Sequence, residues 1–279
     1  MHLLPPNSFK TNPITFRIAA FLAIVFGWSW ISWIVAHHVI GPGFNDKTAR
    51  SFLIFLFIGL YGPFVGAIVT TWYFDGFREV VHLLKKYTIW KAPLVVYLVT
   101  FLLPIIIPAI TVIIYHFLYG NVGRVDMNAG SLIPLYLWAA LRGGPMGEEL
   151  GWRGFLLPEL QRSFSPVASS LLIGFIWTCW HIPLFYLPVG TAISGGPVTL
   201  GPVIFFYVFV TCLACIYTLL VNRSQGSVFI AVLIHLFINA GILMLFFPDL
   251  VAHSKQLYYL SAPVYIVITA FLCLKTRLR

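Results

Sequence analysis

The sequence predicts an all-α fold, a polytopic membrane bundle of about eight transmembrane helices. Composition is the first reason: only 9% of the 279 residues are charged, and 60% are hydrophobic. Soluble globular domains carry about 25% charged residues, so this chain could not cover a water-facing surface. The second reason is that the apolar residues fall in long runs, as they do in membrane helices. We therefore expect a single integral membrane domain over residues 1–279.

Eight apolar runs approach the length of about 20 residues that a spanning helix needs. They cover residues 17–39, 52–74, 93–119, 132–160, 166–188, 201–222, 227–247 and 257–274. No small-residue cleavage site follows the first run, so we expect it to remain as a span. No pair of matched interrupted runs is visible, although inverted-repeat transporters would show one.

The fourth run, residues 132–160, is predicted to be interrupted near Pro145. Proline cannot donate a hydrogen bond to the carbonyl of Leu141, and its ring crowds that turn. We expect a second helical piece to start near Met146. Non-helical backbone at membrane depth is tolerated only against protein or a wet cavity, so the break should lie inside the bundle.

The distribution of basic residues predicts the orientation. Eleven of the 17 Lys and Arg residues fall on the side of the two termini, and four fall on the other side. This excess predicts that both termini are cytoplasmic. We also expect the membrane to be the plasma membrane of a prokaryote. The basic residues lie in short gaps between apolar runs, so we expect a lipid partner and no nucleic acid. Segment 76–92 is predicted to be an amphipathic helix at the lipid headgroups.

Two adjacent carboxylates, Glu148 and Glu149, are the only ones predicted to lie deep in the membrane. A charge at that depth costs from about 2.5 to more than 10 kcal/mol. Glu149 and Arg153 are four residues apart and share a helix face, so they can pair. Glu148 is rotated by about 100° and is left free beside a like charge. Low dielectric and like charge both raise a carboxyl pKa, as general acid/base chemistry near neutral pH requires. The alternative is a structural ion pair with a bystander.

Three more polar residues lie inside later runs. His181 precedes Pro183, which should kink the fifth run. His235 and Asn239 are four residues apart in the seventh run and project from one face. Their depths allow them to meet Glu148 in the middle of the bundle. The alternative for each histidine is a hydrogen bond between helices.

These residues, in this order, resemble the motifs of the CPBP family of intramembrane proteases, which includes the prenyl-protein CAAX endopeptidases. The family pattern is EExxxR, then FxxxH, then HxxxN or HxxxD. Here the first motif is EELGWR at 148–153 and the third is HLFIN at 235–239. The second motif departs from the pattern, because Trp177 stands four residues before His181 in place of phenylalanine. The resemblance covers residues 140–243.

The resemblance implies an intramembrane endopeptidase that hydrolyses a peptide bond of a membrane-associated protein or peptide. It implies that Glu148 activates the attacking water and that His181 helps to hold or activate this water. It also implies that His235 and Asn239 form the oxyanion hole. The motif-bearing core would be about residues 132–247.

In the same resemblance, Glu149 and Arg153 have a supporting role and orient the site. A metal is the open alternative, since Glu148, His181 and His235 would be enough for a catalytic zinc ion with one water. The sequence has no HExxH motif, and asparagine is a poor zinc ligand. We therefore expect no cofactor and a glutamate-dependent reaction.

Two other functions fit parts of the sequence. One is a non-catalytic membrane protein of the same fold, such as a bacteriocin-immunity or scaffold protein. The other is a proton-coupled transporter that uses Glu148 and His181 as a relay. The sequence does not name a substrate or say whether it is prenylated.

Overall fold

The computed structural model describes residues 14–40, 46–142, 144–241 and 246–276, and no β-strand occurs within these ranges. The α-helices are α1 (Ile14–Ile40), α2 (Asp46–Leu60), α3 (Gly62–Asp75), α4 (Phe77–Lys85), α5 (Leu94–Tyr119), α6 (Ile133–Arg142), α7 (Pro145–Glu149), α8 (Leu157–Gln161), α9 (Pro166–Trp180), α10 (Ile182–Phe185), α11 (Leu200–Arg223), α12 (Val228–Ala240) and α13 (Ser254–Thr276). Shorter 3-10 helices cover Lys86–Thr88, Met127–Leu132 and Pro248–His253, and a π-helix covers Leu150–Leu156.

The predicted helical membrane bundle is confirmed, because helices occupy all eight apolar runs. Within the described ranges, α1, α5, α11 and α13 are each long and apolar enough to cross a bilayer, and α2 with α3 would be a fifth span. The helices α9 and α12 are apolar but shorter. Residues 242–245, at the end of the seventh run, lie outside the described residues. The sidedness of the termini stays a prediction.

The bundle has one large apolar core and an apolar outer surface. The core extends from Phe21 in α1 to Tyr265 in α13, so both ends of the chain contribute to it. On α5, by contrast, large apolar side chains such as Leu94, Leu98 and Phe101 are exposed. Exposed apolar surface of this extent suits a helix that faces lipid.

The second apolar run is bent, which the sequence analysis missed. We predicted one span over 52–74, but α2 and α3 meet at Tyr61 with an angle of 41°. Pro63, the second residue of α3, lacks the N–H that would bind the carbonyl of Gly59. Ser29 of α1 donates its hydroxyl to that carbonyl instead, over 2.7 Å. The bend therefore leaves no unsatisfied group at Gly59.

The fourth run breaks where it was predicted to break. The helix α6 ends at Arg142, and the next helix begins at Pro145, one residue before the predicted start. Gly144 adopts a φ of 136°, a conformation that only glycine adopts readily. Pro145 is buried, so the break lies inside the bundle as expected. The π-helix that follows was not predicted.

Two glycines let the broken fourth run approach the bend of the second run. A methyl group on Gly147 would lie 2.7 Å from the carbonyl oxygen of Leu60. A methyl group on Gly151, one turn later, would lie 2.4 Å from the Cβ atom of Pro63. Small residues at this spacing allow two membrane helices to pack backbone against backbone. The two breaks therefore lie against each other, and this contact fixes the position of the glutamates.

Candidate active site

Five of the six predicted site residues are buried inside the bundle. They are Glu148 and Glu149 in α7, Arg153 in the π-helix, His181 between α9 and α10, and His235 in α12. Three separate parts of the chain thus bring ionisable groups to one region. The kink predicted at Pro183 is present, because α9 ends at Trp180 and α10 begins at Ile182.

Glu149 joins two of these groups through a single oxygen. Its Oε1 accepts a hydrogen bond from Arg153 Nη1 over 3.1 Å, which confirms the pair predicted from the spacing. The same oxygen lies 2.7 Å from His235 Nδ1, a contact that the sequence did not indicate. An ionised carboxylate can only accept, so His235 Nδ1 carries the hydrogen. This leaves His235 Nε2 as the ring nitrogen that could reach another group.

Glu148 is held by tryptophan side chains. Its Oε2 accepts a hydrogen bond from Trp177 Nε1 over 2.7 Å, and Trp152 Nε1 lies 3.4 Å away. No basic side chain that the structure describes forms an ion pair with it. Among the described residues, Glu148 therefore has no ion-pair partner, as predicted. It does have hydrogen-bond donors, which were not predicted. The two indoles were missed because tryptophans in apolar runs look like ordinary core residues.

The second oxygen of Glu148 faces a glycine. A methyl group built on Gly144 would lie 2.5 Å from Glu148 Oε1 and 4.0 Å from His235 Cε1. Oε1 therefore lies in a niche that the missing side chain of Gly144 leaves, and no hydrogen bond to it forms among the residues that the structure describes. Any larger residue at position 144 would close this niche.

Arg153 is enclosed by two aromatic rings. Its guanidinium carbon lies 4.3 Å from the ring centre of Trp177 and 4.3 Å from that of Tyr217. A planar guanidinium stacks on such rings, whereas a lysine ammonium would leave the space between them unfilled. The side chain is only 1% exposed, so its charge depends on Glu149 and on these rings for stabilisation.

His181 is oriented by the backbone. Its Nδ1 lies 2.7 Å from the carbonyl oxygen of Trp177, which can only accept. The hydrogen is therefore on Nδ1, and Nε2 of the neutral ring has a free lone pair. The ring centre lies 5.9 Å from that of Trp177. Among the described residues, no direct hydrogen bond joins His181 to Glu148 or His235.

Asn239 lies apart from the hydrogen-bonded cluster. It is exposed in the last turn of α12, whereas His235 is 5% exposed. Four residues along a helix are a rise of about 6 Å, which is enough to leave the packed core even on a shared face. Gly241, with a φ of 53°, ends the helix two residues later. The structure thus brings together His235, Glu149 and Arg153, but not Asn239.

A turn outside the motifs supports the broken run. Pro158 has no N–H for the carbonyl of Gly154, and Lys86 Nζ donates to that oxygen over 2.6 Å. Tyr87 donates its hydroxyl to the carbonyl of Met146, also over 2.6 Å. Burial lowers the pKa of Lys86, in keeping with an inward-pointing side chain. The amphipathic helix predicted over 76–92 is present only over Phe77–Lys85, as α4, and the turn Lys86–Thr88 that follows it contacts the protein interior.

Within the described ranges, no three His, Cys, Asp or Glu side chains are grouped closely enough to hold a metal ion. Glu148, His181 and His235, the three ligands considered from the sequence, each have one polar atom in a hydrogen bond with another part of the protein. Independence from metal stays a prediction.

The fold and the cluster together define an integral, multi-pass membrane protein with a buried polar centre. A family model described as type II CAAX prenyl endopeptidase Rce1-like matches residues 130–241. CAAX prenyl protease 2 from Methanococcus maripaludis is 19% identical over 280 residues, which cover 91% of this chain and 98% of that protein. These findings confirm the family predicted from the motifs. Both matches support similarity to the CPBP family of intramembrane proteases, and this similarity supports a membrane protease role.

Proposed function

We propose that the chain is an intramembrane endopeptidase that hydrolyses a peptide bond of a membrane-associated protein or peptide. The observation that carries the proposal is that two adjacent buried glutamates have different partners. Glu149 is paired with Arg153 and bonded to His235. Glu148 has one oxygen fixed by Trp177 and the other facing a niche. A carboxylate in this setting suits a general base, and the structural pair beside it suits an orienting group.

In the first step, Glu148 removes a proton from water. One O–H bond of the water breaks, the proton goes to the carboxylate, and the water oxygen attacks the carbonyl carbon of the peptide bond. His181 helps to hold the water, because the free lone pair on its Nε2 can accept the second hydrogen of the water. This role follows from the bond between His181 Nδ1 and the Trp177 carbonyl.

Attack leaves a negative oxygen on the former carbonyl group. His235 would donate from Nε2 to this oxygen, which requires a proton on both ring nitrogens, while Nδ1 stays bonded to Glu149 Oε1. Asn239 would supply the second donor. Its side chain is exposed and therefore open to a substrate. In the last step the C–N bond breaks, and Glu148 returns its proton to the leaving nitrogen.

The proposed reaction uses only protein groups, with Glu149 and Arg153 as orienting residues and no metal or cofactor. The name of the relative from Methanococcus maripaludis, CAAX prenyl protease 2, makes a prenylated peptide the first substrate class to test. The proposal commits to a membrane-associated peptide, and the nature of its lipid group is left to the test.

The decisive variant is Glu148→Gln, which keeps the shape of the side chain and removes the base. Purified protein in lipid vesicles is incubated with a prenylated CAAX-type peptide, and products are separated by mass. We expect cleavage by the wild type and none by Glu148→Gln, with equal unfolding temperatures. Cleavage by this variant would refute the proposal. A phenotype that survives Glu148→Gln but is lost in Arg153→Ala would identify a scaffold protein instead.

A further inference from the structure

We propose that Trp177 is a positioning residue, whose indole N–H selects Glu148 Oε1 as the oxygen that takes the proton. The inference deepens the proposed function and rests on it. Trp177 stands where the family pattern has phenylalanine, and phenylalanine has no hydrogen-bond donor. The role is therefore a property of this chain and cannot be taken from the motif.

The hydrogen bond makes the two carboxylate oxygens of Glu148 unequal. Trp177 Nε1 lies 2.7 Å from Oε2, which is short for an N–H donor and typical of a bond to an ionised acceptor. Trp152 Nε1 lies 3.4 Å from the same oxygen, beyond the usual range for such bonds. The fixed oxygen is stabilised in its charged form and has a donor on one of its lone pairs. Proton transfer to this oxygen would have to oppose that bond.

The other oxygen, Oε1, lies beside Gly144. Oε1 points towards Gly144, where even a methyl group would come within 2.5 Å. Apart from Glu148 itself, the atom nearest to this methyl position is His235 Cε1. This carbon has no lone pair and no polar hydrogen. Oε1 is thus the oxygen left to contact a water molecule. If the side chain were free to rotate, either oxygen could take this place, and the water would lose its fixed partner.

The packing around Trp177 explains why its N–H keeps one direction. The side chain is 3% exposed, and its ring lies against the Arg153 guanidinium on one side. The His235 ring meets it edge to face, with 5.8 Å between ring centres. Its own carbonyl receives the hydrogen of His181 Nδ1. A single residue therefore contacts Glu148, Arg153, His181 and His235.

The test is Trp177→Phe, which restores the family residue and removes the donor while keeping an aromatic ring over Arg153. We expect kcat to fall by about tenfold or more, because a lost hydrogen bond to a charged group has an effect of that size. We expect KM to be unchanged, since the indole does not contact the substrate in this proposal. A loss of packing alone would lower the amount of folded protein and leave the kcat of that protein unaffected.

Two other tryptophans give matched controls for the same substitution. Trp180 is buried on the same helix, but its Nε1 has no hydrogen-bond partner among the described residues. Trp180→Phe should therefore leave kcat closer to the wild-type value than Trp177→Phe does. The kcat of Trp152→Phe should lie between those of the other two variants, because the N–H of Trp152 lies farther from Oε2 than that of Trp177. An order of effects other than Trp177, Trp152, Trp180 would overturn the inference.

A second variant covers the case in which Trp177→Phe does not fold. Benzothienylalanine at position 177 keeps the two fused rings and replaces the indole N–H by sulfur. It should reproduce the fall in kcat. Wild-type kcat in this variant would show that the hydrogen bond has no role.

An infrared spectrum separates this inference from the proposed function. The carboxyl band of Glu148 is assigned by its loss in Glu148→Gln, and it should shift in Trp177→Phe but not in Trp180→Phe. If the wild type cleaves no peptide while the band shifts, the proposed function fails and the positioning contact stands. If the wild type cleaves peptide and the band does not shift, the inference about Trp177 fails.

Discussion

His235 donates its Nδ1 hydrogen to Glu149 Oε1 over 2.7 Å, and Arg153 donates to the same oxygen over 3.1 Å. The charges of Arg153 and Glu149 cancel each other. One Glu149 oxygen therefore fixes both the ring of His235 and the guanidinium of Arg153.

The two glutamates should respond differently to the same substitution. Glu149→Gln leaves the buried Arg153 charge uncompensated, so we expect the free energy of unfolding to fall by about 3–5 kcal/mol. Glu148→Gln removes no ion pair among the described residues and should unfold like the wild type. Thermal unfolding of both variants in the same detergent checks this. Equal unfolding temperatures for both would show that the Arg153 pair contributes little to stability.

Asn239 tests whether an exposed residue belongs to the site. Because its side chain is exposed, Asn239→Ala should leave the unfolding temperature unchanged. If Asn239 stabilises the oxyanion, kcat should nevertheless fall by about 10²–10³-fold. Asn239→Asp is the matched variant, since the family pattern accepts HxxxD at this place, and it should keep more activity. Full activity of Asn239→Ala would remove this residue from the proposed mechanism.

Metal dependence can be tested on the wild-type protein. We expect cleavage in vesicles to continue after prolonged dialysis against EDTA and 1,10-phenanthroline, because the described donor groups are not arranged around a common point. Metal content is measured on the dialysed sample to show that removal was complete. Loss of activity on dialysis, with recovery on adding Zn²⁺, would favour the alternative in which Glu148, His181 and His235 are ligands.

The contact between the two breaks predicts a strong effect of one methyl group. In Gly151→Ala the new carbon would lie 2.4–2.6 Å from three atoms of Pro63, two of them in the backbone, so a helix must move. Overpacking of this kind costs about 1–3 kcal/mol, and we expect lower stability and lower kcat together. Gly201→Ala is the control, as no atom lies within 4 Å of its added carbon. Equal stability of the two variants would show that the breaks are not tightly packed.

The sequence predicted those features that depend on local spacing. The length of the apolar runs located the helices, Pro145 located the break, and the interval of four residues located the pair of Glu149 and Arg153. The sequence did not predict the contacts that depend on how helices are rotated against each other. The bonds from Trp177 to Glu148 and from His235 to Glu149 join distant parts of the chain. No periodicity within one helix encodes such an angle.

Other misses have local causes that were not recognised. Pro63 marks the bend between α2 and α3 by the same argument that located the break at Pro145, but it falls in a run without charges. The exposure of Asn239 depends on where α12 leaves the core, and helix spacing alone does not give this. The π-helix has no pattern in the sequence that we could identify.

The donors at Lys86 and Tyr87 have a consequence for protein engineering. Residues 130–241 contain all the motif residues, yet two of their carbonyl groups, at Met146 and Gly154, receive hydrogen bonds from the turn Lys86–Thr88. Transferring this region into another bundle would leave both carbonyl acceptors without donors unless the turn Lys86–Thr88 is transferred with it. The motifs are thus enough to recognise a relative, but a chimaera needs the boundary of the exchange to be drawn upstream of residue 86.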